Sequence, residues 1–186
     1  LTDPEEWVRK HKRFFQERDI KGRIYISVQG INGQISALPE EMALYKEWLL
    51  TLEPFSDLSF KTQSHERHAF DRMSVRVREQ LAALDYDVDT SQGGEHVSPK
   101  KWREMIESDE EYLLIDVRND YETAIGHFEG STLPDCNTFR EFPDYCDRLK
   151  EKVDPEKTKV MMCCTGGIRC ELYSALMKDK GFPEVY

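Results

Sequence analysis

The sequence predicts two small domains, an α+β domain followed by an α/β domain, and three observations support this prediction. The chain has 186 residues, of which 39% are hydrophobic and 11% aromatic, too many for a disordered chain. The first 80 residues read as helix–strand–strand–helix–strand, whereas residues 96–186 alternate helices with short apolar strands. Residues 81–95 between them lose periodicity and are rich in aspartate and glycine, which is typical of a linker.

The first domain begins with a helix, because Thr2 or Asp3 can cap it and Pro4 fits its first turn. Gly22 is expected to end this element. Residues 30–33 contain two glycines and predict a turn. Stretches rich in β-branched and aromatic residues predict four strands, over residues 23–28, 34–37, 58–62 and 73–78. Apolar residues at helical spacing predict a second helix over residues 39–52.

This order of elements is that of a ferredoxin-like (acylphosphatase-like) α+β domain that lacks its first strand. We therefore expect the chain to begin inside a domain. In the second domain, Ser98 and Pro99 predict the start of a helix that runs to about Glu107. Two apolar runs are too short for core helices and predict buried parallel strands over residues 112–117 and 159–163. Further helices are predicted over residues 139–152 and 171–180, which completes the pattern of a doubly wound sheet.

Charge is distributed unevenly along the chain, whose formal net charge is −10. Residues 1–31 carry seven basic and five acidic side chains, whereas residues 104–156 carry five basic and sixteen acidic ones. This balance excludes a uniformly basic nucleic-acid coat but leaves room for a local basic patch. No apolar stretch approaches the roughly 20 residues of a membrane span, and no basic start precedes an apolar run, so we expect no secretory signal.

All five cysteines lie in the last third of the sequence. Their odd number and the absence of an export signal predict reduced thiols and a cytoplasmic location rather than a disulfide framework. We expect no metal site, because there is no Cys-x-x-Cys pair and the nearest histidine, His127, lies on another predicted element.

A nine-residue stretch from Cys163 to Glu171 lies between a predicted strand and a predicted helix, where sites form in open α/β sheets. Adjacent glycines permit a tight loop whose backbone N–H groups turn inward, and the following helix directs its positive end to the same point. This environment favours a thiolate, so Cys164 is the candidate nucleophile. The candidate active-site loop comprises Thr165, Gly166, Gly167, Ile168 and Arg169, and its arginine could add positive charge or orient an anionic substrate.

The other cysteines are assigned different roles. Cys163 continues the strand and is expected to be a small core residue. Cys170 could resolve an oxidised Cys164 or simply pack in the first helical turn, and Cys136 and Cys146 are expected to be structural. Cysteine phosphatases place five residues between cysteine and arginine, and here the arginine comes one place too early. The six-residue loop therefore favours sulfur carried on cysteine over phosphate.

Five motifs make the sequence resemble a known family: Gly30-Ile31-Asn32-Gly33, Asp116-Val117-Arg118-Asn119-Asp120-Tyr121-Glu122, Gly126-His127-Phe128-Glu129-Gly130, Thr138-Phe139-Arg140-Glu141-Phe142-Pro143 and Cys164-Thr165-Gly166-Gly167-Ile168-Arg169-Cys170-Glu171. The second half resembles a rhodanese domain. The resemblance over nearly the whole chain is to the rhodanese-containing tRNA uridine hydroxylases, which make 5-hydroxyuridine at the wobble position. It implies an α/β rhodanese-like domain with a parallel sheet, which continues in the family beyond Tyr186, so we expect a C-terminal truncation.

The resemblance implies an oxygen-dependent hydroxylase that acts on tRNA, with Cys164 as its catalytic residue and Asp116, Arg118 and Cys170 in support. Molecular oxygen would be the co-substrate, and no flavin, nicotinamide or metal motif is evident. Cys164 could act as a thiolate, in an oxidised or persulfide form, or by attack on carbon 6 of uridine. The alternatives are a sulfurtransferase with a Cys164 persulfide, served by a sulfur-donor protein or small thiol, and a non-catalytic module that binds RNA or protein.

Basic residues in the first domain are candidates for RNA binding, namely Lys10, Lys12, Arg13, Arg67, Arg72, Arg76 and Arg78. Alternation places Arg76 and Arg78 on one face of a strand, where they could meet phosphates. The alternative is an ordinary solvated face. For His127, a structural hydrogen bond is favoured over a catalytic role.

Overall fold

A computed structural model of the chain describes residues 1–82 and 84–186. They form two compact units, Leu1–Leu81 and Ala82–Tyr186, each with its own hydrophobic core. Residue 83 of the expected linker lies outside the described residues. Residues 84–95 pack on the second unit: Leu84 is buried in its core, and the backbone N–H of Gly94 donates to the Ser174 hydroxyl at 2.8 Å.

The first unit contains two helices and three strands, namely α1 Pro4–Phe15, β1 Ile20–Ser27, β2 Gly30–Ala37, α2 Pro39–Leu50 and β3 Met73–Val77. The expected cap is present, because the Asp3 carboxylate accepts a hydrogen bond from the backbone N–H of Glu6. The strand order is β2-β1-β3, in which β1 pairs antiparallel with β2 and parallel with β3. Buried side chains from both helices, from β1 and β3 and from the 3₁₀ turn Glu53–Phe55 form the core: Val8, Phe15, Ile20, Ile24, Ile26, Tyr45, Leu49, Phe55 and Val75.

The strand hairpin differs from the sequence prediction at two glycines. Gly22 does not end a helix but lies within β1, at φ +152°, where a Cβ atom would be 2.2 Å from the Gln34 carbonyl oxygen. Residues 30–33 are not a turn but the start of β2, since Ser27 pairs with Gly30 across a two-residue turn. Because the connecting turn has only two residues, the paired strands extend beyond the β-branched segments from which they were predicted.

The predicted strand over residues 58–62 was wrong, because this segment pairs with none of β1, β2 and β3. Leu58 and Phe60 pack against the core without strand hydrogen bonds, and Lys46 donates to the Thr62 hydroxyl at 2.8 Å. A β-type pattern becomes a strand only beside a neighbouring edge, and that neighbour cannot be read from local sequence.

The described residues of the second unit form two strands and four α-helices, namely α3 Pro99–Ile106, β4 Tyr112–Asp116, α4 Asp120–Thr123, α5 Phe142–Lys150, β5 Lys159–Cys163 and α6 Ile168–Asp179. The strands pair in parallel, with Asp116 opposite Cys163 at their carboxyl ends. Single parallel bridges at Thr132 and Val185 flank the pair. The predicted helix over residues 139–152 divides into a 3₁₀ turn and α5. The last helix begins at Ile168, three residues before its predicted start.

The second core surrounds the strand pair, where Ile115, Val160 and Leu176 are fully buried. Because parallel strands end at the same edge, this core brings the residues after β4 and β5 together. Of the helices described, none has the length and apolar content needed to cross a bilayer.

Candidate active site

Asp116 and Arg118 form a charge pair at the carboxyl end of β4. The Asp116 side chain is fully buried, and its carboxylate accepts hydrogen bonds from Arg118 Nε at 2.9 Å and Nη2 at 2.7 Å. Arg118 Nη2 also donates to the Gly126 carbonyl at 2.7 Å. The pair compensates a charge that would be costly to bury alone, and it holds a guanidinium at the edge where β5 also ends.

Cys164 follows β5 directly and begins the predicted loop. The backbone N–H of Gly167 donates to the Cys164 sulfur at 3.1 Å. Gly167 adopts φ +99°, a conformation that residues with a side chain rarely adopt. Because α6 begins at the next residue, the sulfur lies near the positive end of a 12-residue helix.

This environment lowers the pKa of the Cys164 thiol from 9.0 to about 5. The largest cause is a hydrogen bond from the Cys170 thiol; the backbone N–H groups of Cys170 and Gly167 and the charge of Arg169 add to it, against the effect of burial. Cys164 is therefore a thiolate at neutral pH, the nucleophilic form of cysteine. A thiol in the first turn of α6 thus stabilises the candidate nucleophile.

The other four cysteines are free thiols that keep their protons. Burial raises the pKa of Cys136 to about 11 and that of Cys146 to about 12. Burial and the nearby Asp116 charge raise the pKa of Cys163 to about 12, and the hydrogen bond to Cys164 raises the pKa of Cys170. Cys163 differs from the prediction, because its side chain is only partly buried and faces a cavity.

Glu122 supports the loop and was missed by the sequence analysis. Its carboxylate accepts hydrogen bonds from Arg169 Nη1 at 2.6 Å and Nη2 at 2.8 Å, and from the Thr165 hydroxyl. The hydrogen bond from Arg169 is the largest cause that lowers the pKa of Glu122 to about 2. The available signal was Asn119 three residues earlier, because together they form the capping box of α4.

Arg169 has one of its two predicted roles, because its charge helps to lower the pKa of the Cys164 thiol. Its guanidinium is paired in two-point contact with Glu122, with only 11% of its side chain exposed. This pairing satisfies the charge within the protein, so the residue holds the loop instead of presenting a cation to a substrate. The cation beside the cavity is Arg118.

A cavity of about 340 Å³ opens at this edge, lined by Arg118, Gly126, His127, Phe128, Cys163 and Cys164. Its volume lies within the range of small-molecule sites. His127 makes the kind of hydrogen bond favoured for it, between Nδ1 and the Thr123 carbonyl at 3.1 Å, and its ring also lines the cavity. The cavity thus places a thiolate, a guanidinium and an aromatic ring around one space.

The candidate RNA-binding residues fall into two groups, one on α1 and one along and around β3. Lys10 pairs with Glu6 at 2.8 Å on α1, and Lys12 and Arg13 are exposed on the same helix. Arg67 and Arg72 are exposed before β3, and Arg76 and Arg78 are exposed along it and just beyond its end. In the part of the chain that the structure describes, no group of three or more His, Cys, Asp or Glu side chains is placed to hold a metal ion.

A thiolate held by loop N–H groups after a parallel strand, beside a buried Asp–Arg pair, defines the class of rhodanese-type cysteine-loop proteins. Residues 98–186 match the family model of the rhodanese-like domain, and residues 1–81 match that of the UPF0176 acylphosphatase-like domain. The chain therefore joins one domain similar to each of these two families. The predicted fold class, an acylphosphatase-like α+β domain followed by a rhodanese-like α/β domain, is confirmed.

The chain is also similar over all 186 residues to curated proteins named tRNA uridine(34) hydroxylase. It is 50% identical to those of Protochlamydia amoebophila (strain UWE25), Chlamydia felis (strain Fe/C-56) and Chlamydia trachomatis serovar D. It spans 58% of the length of the first of these relatives and 57% of the other two. The resemblance recognised in the sequence is thereby confirmed.

Proposed function

We propose that the chain carries the catalytic cysteine of an enzyme that hydroxylates carbon 5 of the wobble uridine in tRNA, with molecular oxygen as co-substrate. The observation that carries the proposal is the Cys164 thiol, whose pKa of about 5 makes it a thiolate at neutral pH. It belongs to a chain that is half identical to proteins named tRNA uridine(34) hydroxylase.

Two routes would use this thiolate. In the first, Cys164 in its thiolate, oxidised or persulfide form takes part in oxygen transfer. In the second, its sulfur adds to carbon 6 of uridine, which makes carbon 5 electron-rich enough to attack molecular oxygen and form a hydroperoxide. An external thiol reductant supplies the two electrons that cleave the O–O bond to the alcohol and water. Loss of the carbon 5 proton then breaks the C–S bond and releases the Cys164 thiolate. In both routes, Arg118 at the cavity can donate hydrogen bonds to a carbonyl or phosphate oxygen of the substrate.

Mass spectrometry of tRNA nucleosides tests the activity. Cells that lack the gene are complemented with the complete natural protein, either wild type or Cys164→Ala. We expect 5-hydroxyuridine to return with wild type only. Cys163→Ala is the matched control, because it removes the adjacent thiol, whose pKa is about 12. If the Cys164→Ala protein restores 5-hydroxyuridine, the catalytic proposal fails and a non-catalytic binding module is favoured.

Intact-mass analysis of trapped complexes separates the two routes. Wild-type protein is incubated with a uridine-containing anticodon stem-loop without oxygen and is then denatured. Addition to carbon 6 predicts an adduct of protein and RNA that Cys164→Ala abolishes. Absence of the adduct under these conditions counts against addition and favours direct participation of the sulfur in oxygen transfer.

Sulfur transfer is the second candidate function, and the match of residues 98–186 to the rhodanese-like domain favours it. In this function the Cys164 thiolate would attack the outer sulfur of thiosulfate or of a donor protein's persulfide, carry that sulfur as its own persulfide, and release sulfite or the donor's thiolate. Formation of thiocyanate from thiosulfate and cyanide measures this activity. A rate that matches tRNA hydroxylation and disappears in Cys164→Ala would make sulfur transfer the primary function.

A further inference from the structure

The three-stranded sheet of the first unit has two chemically different faces. Ile24 and Ile26 of β1 belong to the core that α1 and α2 cover. Strand partners share a face and neighbours along a strand alternate, so the register assigns the opposite face directly. This second face, called here the polar sheet face, carries Lys21, Arg23, Tyr25, Asn32, Gln34, Ser74 and Arg76.

Positive charge dominates the polar sheet face. Arg23 and Arg76 are exposed, and none of the face positions just named is acidic. Lys21 pairs with Asp19 at 3.8 Å. Arg23 and Arg76, by contrast, take part in no ion pair among the described residues of the first unit. The same holds for Arg72 and Arg78, which flank β3. Four exposed guanidinium groups without a carboxylate partner favour a polyanion as the ligand.

Tyr25 places an aromatic ring among these cations. It lies on the middle strand, is partly exposed, and has Asn32 opposite it on β2 and Arg76 opposite it on β3. The Arg78 guanidinium lies 4.8 Å from the centre of its ring. Proteins bind single-stranded nucleic acids by stacking bases on such rings while cations contact the phosphates, and an amide can both donate to and accept from a base edge.

We propose that the polar sheet face binds single-stranded RNA. A base stacks on Tyr25, phosphates contact Arg23 and Arg76, and the Asn32 amide contacts a base edge. The inference rests on the proposed function in one respect, because only that function identifies the bound RNA as tRNA. An acidic protein or an RNA duplex would use the guanidinium groups but not the ring, and this difference is what the experiment measures.

Fluorescence anisotropy with the whole chain and a labelled single-stranded RNA of about twelve nucleotides, a length within reach of such sites, tests the proposal. We expect Tyr25→Ala to weaken binding at least about fivefold and Tyr25→Phe to bind within about twofold of wild type, since phenylalanine keeps the stacking surface. Arg76→Gln should reduce the slope of log affinity against log salt by about 0.7. Arg9→Gln, at an exposed position on α1, is the matched control and should leave the affinity within about twofold of wild type.

The proposal is overturned if Tyr25→Ala binds like wild type, if Arg9→Gln weakens binding as much as Arg76→Gln, or if an RNA duplex of equal length binds as tightly as the single strand. Circular dichroism verifies that each variant is folded, and Arg76→Gln tests an exposed position if Tyr25→Ala does not fold. Because binding is measured without turnover, failure of 5-hydroxyuridine formation would leave this result intact. Equally, loss of the binding site would leave the role of Cys164 intact.

Discussion

Cys163 and Cys164 are neighbours in the chain but differ in protonation. Burial and the Asp116 charge raise the pKa of Cys163 to about 12, whereas hydrogen bonds lower that of Cys164 to about 5. Cys163 is the last residue of β5, whereas Cys164 begins a loop whose N–H groups turn towards its sulfur. The hydrogen bond from the Cys170 thiol, aided by backbone N–H groups, therefore decides which thiol is reactive, and not sequence position or burial alone.

The largest expected effect is on alkylation by iodoacetamide, which consumes thiolates. At pH 6, Cys164→Ala should lower the rate of modification at least about a hundredfold, because the remaining thiols are protonated. Cys163→Ala should change the rate less than about twofold. Intact-mass spectrometry over time measures both rates. An equal loss of alkylation rate in the two variants would show that the two neighbouring sulfurs do not differ in reactivity.

The pH dependence of alkylation is the next effect in size. A pKa of about 5 predicts that Cys164 is mostly thiolate above pH 5 and loses this form as the pH falls through that value. The rate should therefore be flat from pH 8 to pH 6 and fall about tenfold for each pH unit below 5. The same measurement on Cys164→Ala supplies the background. A midpoint near 8.5, the ordinary value for cysteine, would contradict the proposed thiolate.

Gly167→Ala should weaken the hydrogen bond that distinguishes the two sulfurs. A side chain at φ +99° is strained by about 1–2 kcal/mol, so the loop shifts and its N–H moves away from Cys164. Loss of a hydrogen bond to a charged group should raise the midpoint of alkylation by about 1 pH unit and slow the reaction about fivefold at pH 5. Gly166→Ala is the control, because a Cβ there meets no atom within 4 Å.

The smallest expected effect concerns the support of the loop. Glu122→Gln should lower the free energy of unfolding at pH 7 by about 1–3 kcal/mol, since it leaves the Arg169 charge poorly paired. The pKa of Glu122 is about 2 in the folded chain, below its ordinary 4.5. This stabilisation is therefore complete above about pH 4.5 and is lost as the pH falls towards 2.

Urea titrations of wild type and Glu122→Gln at pH 7 and pH 3 measure that difference. The exposed carboxylate of Glu129 provides the control variant, Glu129→Gln. A penalty for Glu122→Gln that stays the same at both pH values would show that charge pairing with Arg169 is not its source.

The order of elements and the position of Cys164 could be predicted because their signals are local. An apolar run, two glycines and a helical pattern stand in sequence around this cysteine. Glu122 was missed because its partner Arg169 lies 47 residues away, and a capping pattern alone does not identify the partner of a carboxylate. For the same reason, the ion pair of Arg169 with Glu122 could not be predicted.

The strands of the first unit show the same limit. Residues 58–62 have a β-type composition but no neighbouring strand among those described, whereas Gly30 and Gly33 look like a turn and pair as strand residues. Strand pairing is a contact between distant segments, so composition predicts the tendency to pair and not the pair itself. The hairpin turn was misplaced because its two residues, Val28 and Gln29, lack the usual glycine signal.

The alternation along β1 also protects the folding chain against mispairing. A slip of one residue would turn Ile24 and Ile26 to solvent and press Arg23 and Tyr25 against α1. Burying a guanidinium without a partner costs several kcal/mol of folding free energy. A sheet shifted by one residue is therefore destabilised on both faces, because one face exposes apolar side chains and the other buries charge. The side chains that we propose to bind RNA therefore also disfavour an incorrect strand register during folding.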